Sequence, residues 1–517
     1  MNWAISRSNP ALPSFIVFIS ICCISVLAVI HSAPYDDEIH NIRYVSGHGV
    51  AWLIRAANSL DVHPPGSYLV NKLLLWMFRS WPLVKIAGGV LNGIGLSVFY
   101  GLAHGKIDKA QRPLLVFLLA AAATTVMWGA SVRWYAYFNP LFAVTIAVLM
   151  FSSLSCTWRT VVLGASSVVL FHISYAAFCA VPALLAVHLV REWHTFKTGG
   201  RDLTFLFVIG GVALALCIPQ LLVFVQVHSA HEGRQRGSII EALASTALTL
   251  VIGDAAFPTA AVPILAAFVI VLSVGYWLVR GPLSFTDKLS LVALAVGAAA
   301  MIATGLGVKP RNSVYLIPLV SLLVSSALSR LPTAAAVVAI GVVALSELIS
   351  VRNVILHEGT SKGSYNTDYL AMVDRIRGWD ARCGGNMRVF NHDAVLTFLL
   401  EQAKIPQSSP YQRYSEDKVG LGPGTCVALV KTYRASFARH VVQEFYAEIE
   451  NLHLIGLDQA DIGPDPYYRQ KSLIGHEPFP AHYGTLQLFR VREATSVENW
   501  RAPMGRGGPY PAVFSSP

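Results

Sequence analysis

The chain has 517 residues, of which 54% are hydrophobic and 13% are charged, and its mean hydropathy is +0.53. Soluble domains carry about 25% charged residues, so the composition excludes an ordinary soluble protein. Recurring apolar runs predict an all-α polytopic membrane protein instead. The formal net charge is +10, but much of it lies in short connections between apolar runs, where basic residues set membrane topology. We therefore expect no nucleic-acid partner.

Apolar runs predict about eleven transmembrane helices within a domain that covers residues 1–350. The first run follows Arg7, and the weak cleavage sequence His31-Ser32-Ala33 before Pro34 favours an uncleaved helix over a signal peptide. The predicted spans are residues 12–32, 82–103, 114–130, 140–155, 160–174, 175–190, 203–225, 258–279, 289–306, 314–329 and 333–350.

Basic residues between the spans predict the orientation. If Arg7 is cytoplasmic and the spans alternate, every cytoplasmic loop carries a positive charge. An odd number of spans then places loop 33–81, loop 226–257 and the tail after about residue 351 outside the cytoplasm. We expect a multi-pass membrane protein with a cytoplasmic N-terminus. The basic residues of the cytoplasmic loops are Lys106, Lys109, Arg112, Arg159, Arg191, Lys197, Arg201, Arg280, Lys288 and Arg330.

Three adjacent acids, Asp36-Asp37-Glu38, open the first outer loop directly after a span. Carboxylates near lipid are costly, and an enzyme that transfers a group to a hydroxyl needs a base to take the hydroxyl proton. The alternative is helix capping, because Asp and Glu are favoured in a first helical turn. Apolar residues then recur at helical spacing up to Leu60. This predicts one or two amphipathic helices on the outer membrane face, broken near Gly47 and Gly49.

The same loop contains a second polar motif after the acidic cluster, Asp61-Val62-His63-Pro64-Pro65-Gly66. The two prolines disfavour helix at His63 and stiffen the turn, so Asp61 and His63 lie on a rigid segment. They can bind a sugar hydroxyl, a phosphate or a divalent metal, although Asp before a turn is also an ordinary cap. We expect no obligatory cofactor or metal, and Asp36, Asp61 and His63 are the residues that could hold one.

The last third of the chain is more polar and predicts a small extracytoplasmic α/β domain over residues 351–500. Residues 501–517 are rich in Gly and Pro and predict a disordered tail. If the domain lies outside the cytoplasm, Cys383 and Cys426 can form a disulfide. We predict strands at 387–392, 426–431, 452–457 and 486–491, and helices at 393–402 and 436–451.

The first span, the acidic cluster, the interfacial loop and the Asp-x-His-Pro-Pro sequence together resemble the GT-C superfamily of membrane glycosyltransferases. Within it, the chain is similar to the protein O-mannosyltransferases and aminoarabinose transferases over roughly residues 12–330. The resemblance implies a donor sugar linked to polyprenyl phosphate and a reaction outside the cytoplasm. It also implies that Asp37 is the catalytic base and Glu38 its helper. Asp36 remains a candidate because three adjacent acids leave the register open by one residue.

Basic residues in outer loops extend the resemblance. Arg133 and Tyr135 match an Arg-x-Tyr position of the family, although Ser131 stands where the family often has Glu. Lys309 and Arg311 match a Pro-Arg-Tyr-like turn. By this likeness, Arg133 and Tyr135 would contact the substrate.

Lys85 lies at the outer start of the second span, where the family often has Arg. The resemblance implies that Lys85, Arg133 and Arg311 hold the donor phosphate, because arginine forks match phosphate oxygens. The alternative is that these side chains reach toward lipid head groups. Further substrate contacts are expected from Asp61, His63, Tyr135 and Lys309.

The resemblance thus implies a glycosyltransferase that moves a hexosyl or pentosyl group, with inversion, to a hydroxyl of a lipid, polysaccharide or protein acceptor. Two alternatives remain open. A lipid or polysaccharide transporter or flippase would place its functional charges within the spans. A non-catalytic envelope assembly protein would tolerate the loss of Asp37. Measured turnover after Asp37→Ala separates the three.

Overall fold

The structure is a computed structural model. Its contacts divide the chain into two compact units, Met1–Ile30 with His40–Ser361 and His31–Ile39 with Lys362–Pro517. The described residues are 9–30, 32–59, 63–198, 200–231, 261–304, 310–357, 368–409, 418–432, 454–462 and 484–498.

The first unit is built from helices. Its earlier helices are α1 (Ala11–Ile30), α2 (Asp36–Gly47, which begins in the second unit), α3 (Val50–Ser59), α4 (Pro65–Phe78), α5 (Trp81–Ala103), α6 (Gln111–Ala120), α7 (Ala123–Gly129) and α8 (Tyr135–Phe151). Its later helices are α9 (Cys156–Ile173), α10 (Ala177–Thr198), α11 (Gly200–His231), α12 (Ala261–Arg280), α13 (Phe285–Thr304), a 3₁₀ helix (Pro310–Leu316), α14 (Ile317–Ser329) and α15 (Thr333–Leu356).

Among the described residues, nine helical segments are long and apolar enough to cross a membrane. The polytopic helical fold class is therefore confirmed, and each of the eleven predicted spans coincides with helix. The two that fall outside the nine are α8, which has only 17 residues, and α10, whose last turns carry Arg191, Glu192 and Lys197. The predicted span 114–130 is divided between α6 and α7.

Glycines let α5 pack directly against its neighbours. A Cβ at Gly95 would lie 2.7 Å from Pro140 Cα, and a Cβ at Gly88 would lie 2.5 Å from the carbonyl oxygen of Gly129. Small residues permit such close backbone approach between membrane helices. The backbones of α5 and α8 therefore touch where Gly95 meets Pro140.

The first outer loop folds into α2, α3 and α4. The predicted break is confirmed, since α2 ends at Gly47 and α3 begins at Val50. The side chain of Lys72 caps the C-terminal end of α2. Its Nζ donates to the carbonyl oxygens of Val45 and His48 at 2.8 and 2.7 Å. A basic side chain at a helix C-terminus is favoured by the helix dipole and satisfies its last carbonyls.

The second unit contains the predicted α/β domain elements. Its helices are α16 (Tyr369–Arg382) and α17 (Ala394–Gln402), and its strands are β1 (Met387–Asn391), β2 (Gln407–Ser408), β3 (Lys418–Leu421), β4 (Cys426–Thr432), β5 (Leu454–Ile462), β6 (Gly484–Val491) and β7 (Thr495–Glu498). One sheet has the order β2-β1-β4-β6-β5, and β3 pairs with β7. In the first sheet β1 is parallel to β2 and β4, whereas β4 and β5 are antiparallel to β6.

The four predicted strands are confirmed as β1, β4, β5 and β6, and the helix predicted at 393–402 is confirmed as α17. The sequence missed α16 and the short strands β2, β3 and β7. The helix predicted at 436–451 and the tail 501–517 lie outside the described residues. A disulfide joins Cys383, just after α16, to Cys426 at the start of β4.

Candidate functional site

The acidic cluster lies at the start of α2, in the second unit. Glu38 is fully buried, and its Oε2 accepts a hydrogen bond from the Tyr35 backbone N–H at 3.0 Å. This is the Glu half of a capping box, so one carboxylate of the cluster does serve the helix start. Asp37 is half-buried one position earlier. The side chain of Asp36 lies outside the described residues.

Arg133 lies in the connection between α7 and α8 and is buried. Its Nη2 donates to His63 Nε2 at 2.9 Å, and its Nη1 donates to Asn41 Oδ1 at 3.4 Å. His63 stands just before Pro64, whose extended backbone leads into α4. The structure therefore brings together two residues that the sequence predicted separately, and it adds Asn41.

Two further amide contacts hold the backbone beside Arg133. Asn41 Nδ2 and Asn71 Nδ2 both donate to the Val132 carbonyl oxygen, at 2.7 and 3.4 Å. The Tyr137 hydroxyl donates to Asn71 Oδ1 at 2.5 Å. We call this set the Arg133 cluster; its members are Asn41, His63, Asn71, Arg133 and Tyr137.

Sequence reasoning missed Asn41, Asn71 and Tyr137. These residues could have been noticed from the free-energy cost of burying a polar side chain without a partner. Within an apolar bundle, such a side chain must find a hydrogen-bond partner. Tyr135, which was predicted to bind substrate, is buried with its ring 4.0 Å from the Trp134 ring. Within this aromatic stretch it is the hydroxyl of Tyr137 that bonds in the cluster.

Lys85 is buried near the start of α5, with its Nζ 5.8 Å from the centre of the Trp81 ring. An ammonium at this distance from an indole face is attracted to the ring. Asp61 and Lys309 lie outside the described residues. Arg311 belongs to the 3₁₀ helix, but its side chain lies outside them.

A metal site is not formed by the residues that the structure describes, since they contain no group of three or more His, Cys, Asp or Glu side chains placed to hold an ion. Of the three residues considered for a metal, the side chain of Asp36 and the whole of Asp61 lie outside the described residues. His63, the third, accepts its hydrogen bond from Arg133.

Aromatic rings fix the helices that carry the cluster. Tyr44 on α2 lies 5.3 Å from Trp52 on α3 and 6.0 Å from Tyr68 on α4, measured between ring centres. His48 stacks on Trp52 at 3.6 Å. Such ring pairs add to the energy of area burial. These ring contacts pack α2, α3 and α4 together and so hold the segments that carry Asn41, His63 and Asn71.

An apolar groove of about 270 Å³ runs between α9, α10 and α11. Phe171 is one of its lining residues, and the next residue, His172, packs on the start of α4, where a Cβ at Gly66 would lie 2.3 Å from the His172 carbonyl oxygen. Gly66 follows His63 by three positions, so one residue links the groove lining to the segment that carries His63. The lining residues are Thr160, Leu163, Gly164, Ser167, Phe171, Val181, Leu185, Leu206, Ile209, Gly210, Ala213, Leu214 and Cys217.

Comparison with known proteins gives structural likeness only. No protein-family model and no curated protein matches the chain. Two solved structures are similar to it, both of ArnT from Cupriavidus metallidurans, one in the apo state and one bound to undecaprenyl phosphate. Each has a TM-score of 0.51 and 13% sequence identity over 92% of this chain, and covers 98% or 97% of the ArnT chain. The chain shares the polytopic membrane fold of these ArnT structures, which confirms the polytopic helical fold expected from the sequence.

Proposed function

We propose that the protein is a membrane glycosyltransferase that moves a sugar from a polyprenyl-phosphate-linked donor to an acceptor hydroxyl on the extracytoplasmic face of the inner membrane. The observation that carries the proposal is the buried Arg133 guanidinium, which hydrogen bonds to His63 and Asn41 hold in place. A fixed guanidinium matches the oxygens of a phosphate. The shared fold with ArnT, one structure of which contains undecaprenyl phosphate, supports the same class of donor.

The proposed reaction is a single in-line displacement. Asp37 takes the proton of the acceptor hydroxyl, whose oxygen bonds to the anomeric carbon while the bond from that carbon to the phosphate oxygen breaks. Polyprenyl phosphate leaves, and the configuration at the anomeric carbon inverts. Fixed cations stabilise the charge that develops on the phosphate, a role we assign to Lys85, Arg133 and Arg311. The scheme requires no metal.

The groove between α9, α10 and α11 is proposed to take the first isoprene units of the donor. Its lining is mostly apolar, and Phe171 of the lining directly precedes the residue that packs on the α4 start. A prenyl chain lying there exchanges contacts with lipid tails for contacts with apolar side chains, so van der Waals packing would hold it. The donor would then enter sideways from the bilayer.

The acceptor side of the proposal concerns the second unit. We propose that the N-terminus is cytoplasmic and the α/β domain periplasmic, and that this domain selects the acceptor, which is a lipid, a polysaccharide or a protein. Exchange of residues 355–500 for those of a related enzyme should change acceptor choice. Unchanged acceptor choice in the chimaera would contradict this role.

The deciding experiment is sugar transfer by purified protein in liposomes, with a panel of polyprenyl-phosphate sugars and a membrane extract as acceptor. Asp37→Asn should lower turnover at least a hundredfold while the protein stays folded. Asp108→Asn is the matched control, because Asp108 is an exposed aspartate of a different loop. Turnover that survives in Asp37→Asn moves the base to Asp36 or Glu38.

A different result would favour the transporter alternative. If folded wild-type protein binds polyprenyl phosphate but transfers no sugar from any donor, the glycosyltransferase proposal is wrong. Movement of the lipid-linked sugar between the leaflets of the same liposomes would then be the activity to measure.

A further inference from the structure

A second, smaller cavity lies inside the first unit, between α5, α7, α8 and the 3₁₀ helix. It is separate from the Arg133 cluster and shares none of its side chains. Four polar residues, one from each element, line it together with apolar side chains of α5, α8 and the 3₁₀ helix and Pro318 of α14. The polar residues are Asn92, Thr125, Asn139 and Tyr315.

Three of these residues carry buried polar atoms without a hydrogen-bond partner among the described residues. The atoms are Thr125 Oγ1, Tyr315 Oη, and both the Nδ2 and the Oδ1 of Asn139. The exposed fractions are 3% for Thr125, 1% for Tyr315 and 5% for Asn139. Buried polar groups in proteins are nearly always bonded, and lipid tails offer no partner. Several such atoms around one cavity therefore indicate a polar occupant.

The size of the cavity limits that occupant. It has about 10 Å³ of room for the centres of water molecules, which corresponds to roughly one water. This is too small for a sugar, a head group or a lipid chain. The described residues that line it include no carboxylate to balance a cation, and a buried cation without a counter-charge is costly. A water molecule can both donate and accept, as a mixed set of an amide and two hydroxyls requires.

Aromatic contacts join two of the elements that line the cavity. The Tyr315 ring is fixed by edge contacts with Phe138 and Phe142, at 5.4 and 4.8 Å between ring centres. Asn139 lies between those two residues on α8. Asn92 of α5 donates to the carbonyl oxygens of Gly88 and Ala136.

We propose that this cavity holds one ordered water molecule that bridges Thr125 on α7, Asn139 on α8 and Tyr315 on the 3₁₀ helix. The water donates to Asn139 Oδ1 and exchanges hydrogen bonds with the two hydroxyls. It joins three separate elements and fixes the 3₁₀ helix, with Arg311 near its start, against the bundle.

The direct test is a cryo-electron-microscopy map of the full chain at a resolution that shows ordered water. The expected result is one density peak within hydrogen-bond distance of Thr125, Asn139 and Tyr315. An empty cavity would overturn the proposal, as would side chains that bond directly to one another.

A thermal test uses the coupling that a shared water creates. Thr125→Val and Tyr315→Phe should each lower the melting temperature in detergent, and the double variant should melt close to the worse single variant. Ser350→Ala is the control, since Ser350 has a buried hydroxyl that lies outside the cavity. Its shift should add to that of Tyr315→Phe. Additive shifts for Thr125→Val with Tyr315→Phe would contradict a common water.

Discussion

At the scale of single residues, the sequence named Arg133 and His63 as candidate site residues but did not predict the contact between them. Arg133 and His63 were each expected to bind substrate, but they stand 70 positions apart, and no local pattern predicts that their side chains meet. Asn41 and Asn71 read as ordinary polar residues of an interfacial helix and a following helix. Their roles depend on long-range contacts to Val132, which periodicity does not reveal.

Arg133→Gln should lower donor binding and sugar transfer by about a hundredfold, because loss of a charged hydrogen-bond partner for phosphate costs roughly 2–4 kcal/mol. Transfer is measured in liposomes at several donor concentrations. Arg79→Gln is the control, since Arg79 is an exposed arginine at the end of α4. Equal activity of the two variants would remove Arg133 from the site.

Glu192 is the centre of a buried ion cluster on α10. Its Oε1 lies 2.6 Å from Arg159 Nη2 and 3.5 Å from Arg191 Nε. Glu192→Gln leaves the buried Arg159 and the partly buried Arg191 without their carboxylate and should destabilise the protein by about 3–5 kcal/mol.

The Glu192 prediction is checked by thermal melting in detergent. Asp108→Asn is its control, because Asp108 is 69% exposed and lies 3.5 Å from Arg330, and such surface pairs contribute about 0–1 kcal/mol. Similar melting temperatures for both variants would show that the α10 cluster adds no stability.

At the scale of elements, apolar runs located all nine candidate spans of the described residues, but side-chain details set the ends. Helix α9 starts at Cys156, earlier than the predicted 160, because the Ser155 hydroxyl caps it by accepting from the Trp158 N–H. Helix α8 starts five residues before Pro140, which lies inside it. The break between α6 and α7 falls at Ala121 and Ala122. Neither residue is a proline or glycine, so the sequence gives no signal of a helix break there.

The groove offers a matched pair of glycines on α11. A Cβ at Gly210 or at Gly211 meets no atom within 4 Å, but only Gly210 lines the groove. Gly210→Phe should fill the groove and raise the donor KM about tenfold or more, whereas Gly211→Phe should leave it unchanged. Kinetics with a long-chain and a short-chain polyprenyl donor make the check, because the short chain should be less affected. Equal effects of both substitutions would argue against a prenyl chain in this groove.

At the scale of the whole molecule, the strands of the second unit were predictable from alternation, but their order was not. Strand β1 pairs with both β2 and β4, and β4 pairs with β6 some sixty residues further on. Such pairings depend on packing across the sheet, so a short stretch of sequence does not reveal them. The same holds for His31–Ile39, whose contacts group it with the C-terminal residues.

The disulfide should stabilise the second unit by about 4 kcal/mol, the value expected from the chain entropy of a loop of this length. It closes a separation of 43 residues between Cys383 and Cys426. Replacing both cysteines by serine should make this unit more sensitive to limited proteolysis. Cys23→Ser is the control, since Cys23 is a free, exposed cysteine of α1. Unchanged proteolysis of the double variant would show that the bond is dispensable.

The hydrogen bond between Arg133 and His63 determines what can replace the histidine. A guanidinium can only donate, so His63 Nε2 accepts, which leaves Nδ1 to carry the ring proton. A substitute at this position must therefore also accept a hydrogen bond from Arg133. His63→Gln offers an amide oxygen and should keep the guanidinium in place, whereas His63→Leu should release it and weaken the binding of polyprenyl phosphate in liposomes. Equal binding by the two variants would show that this contact does not hold the arginine.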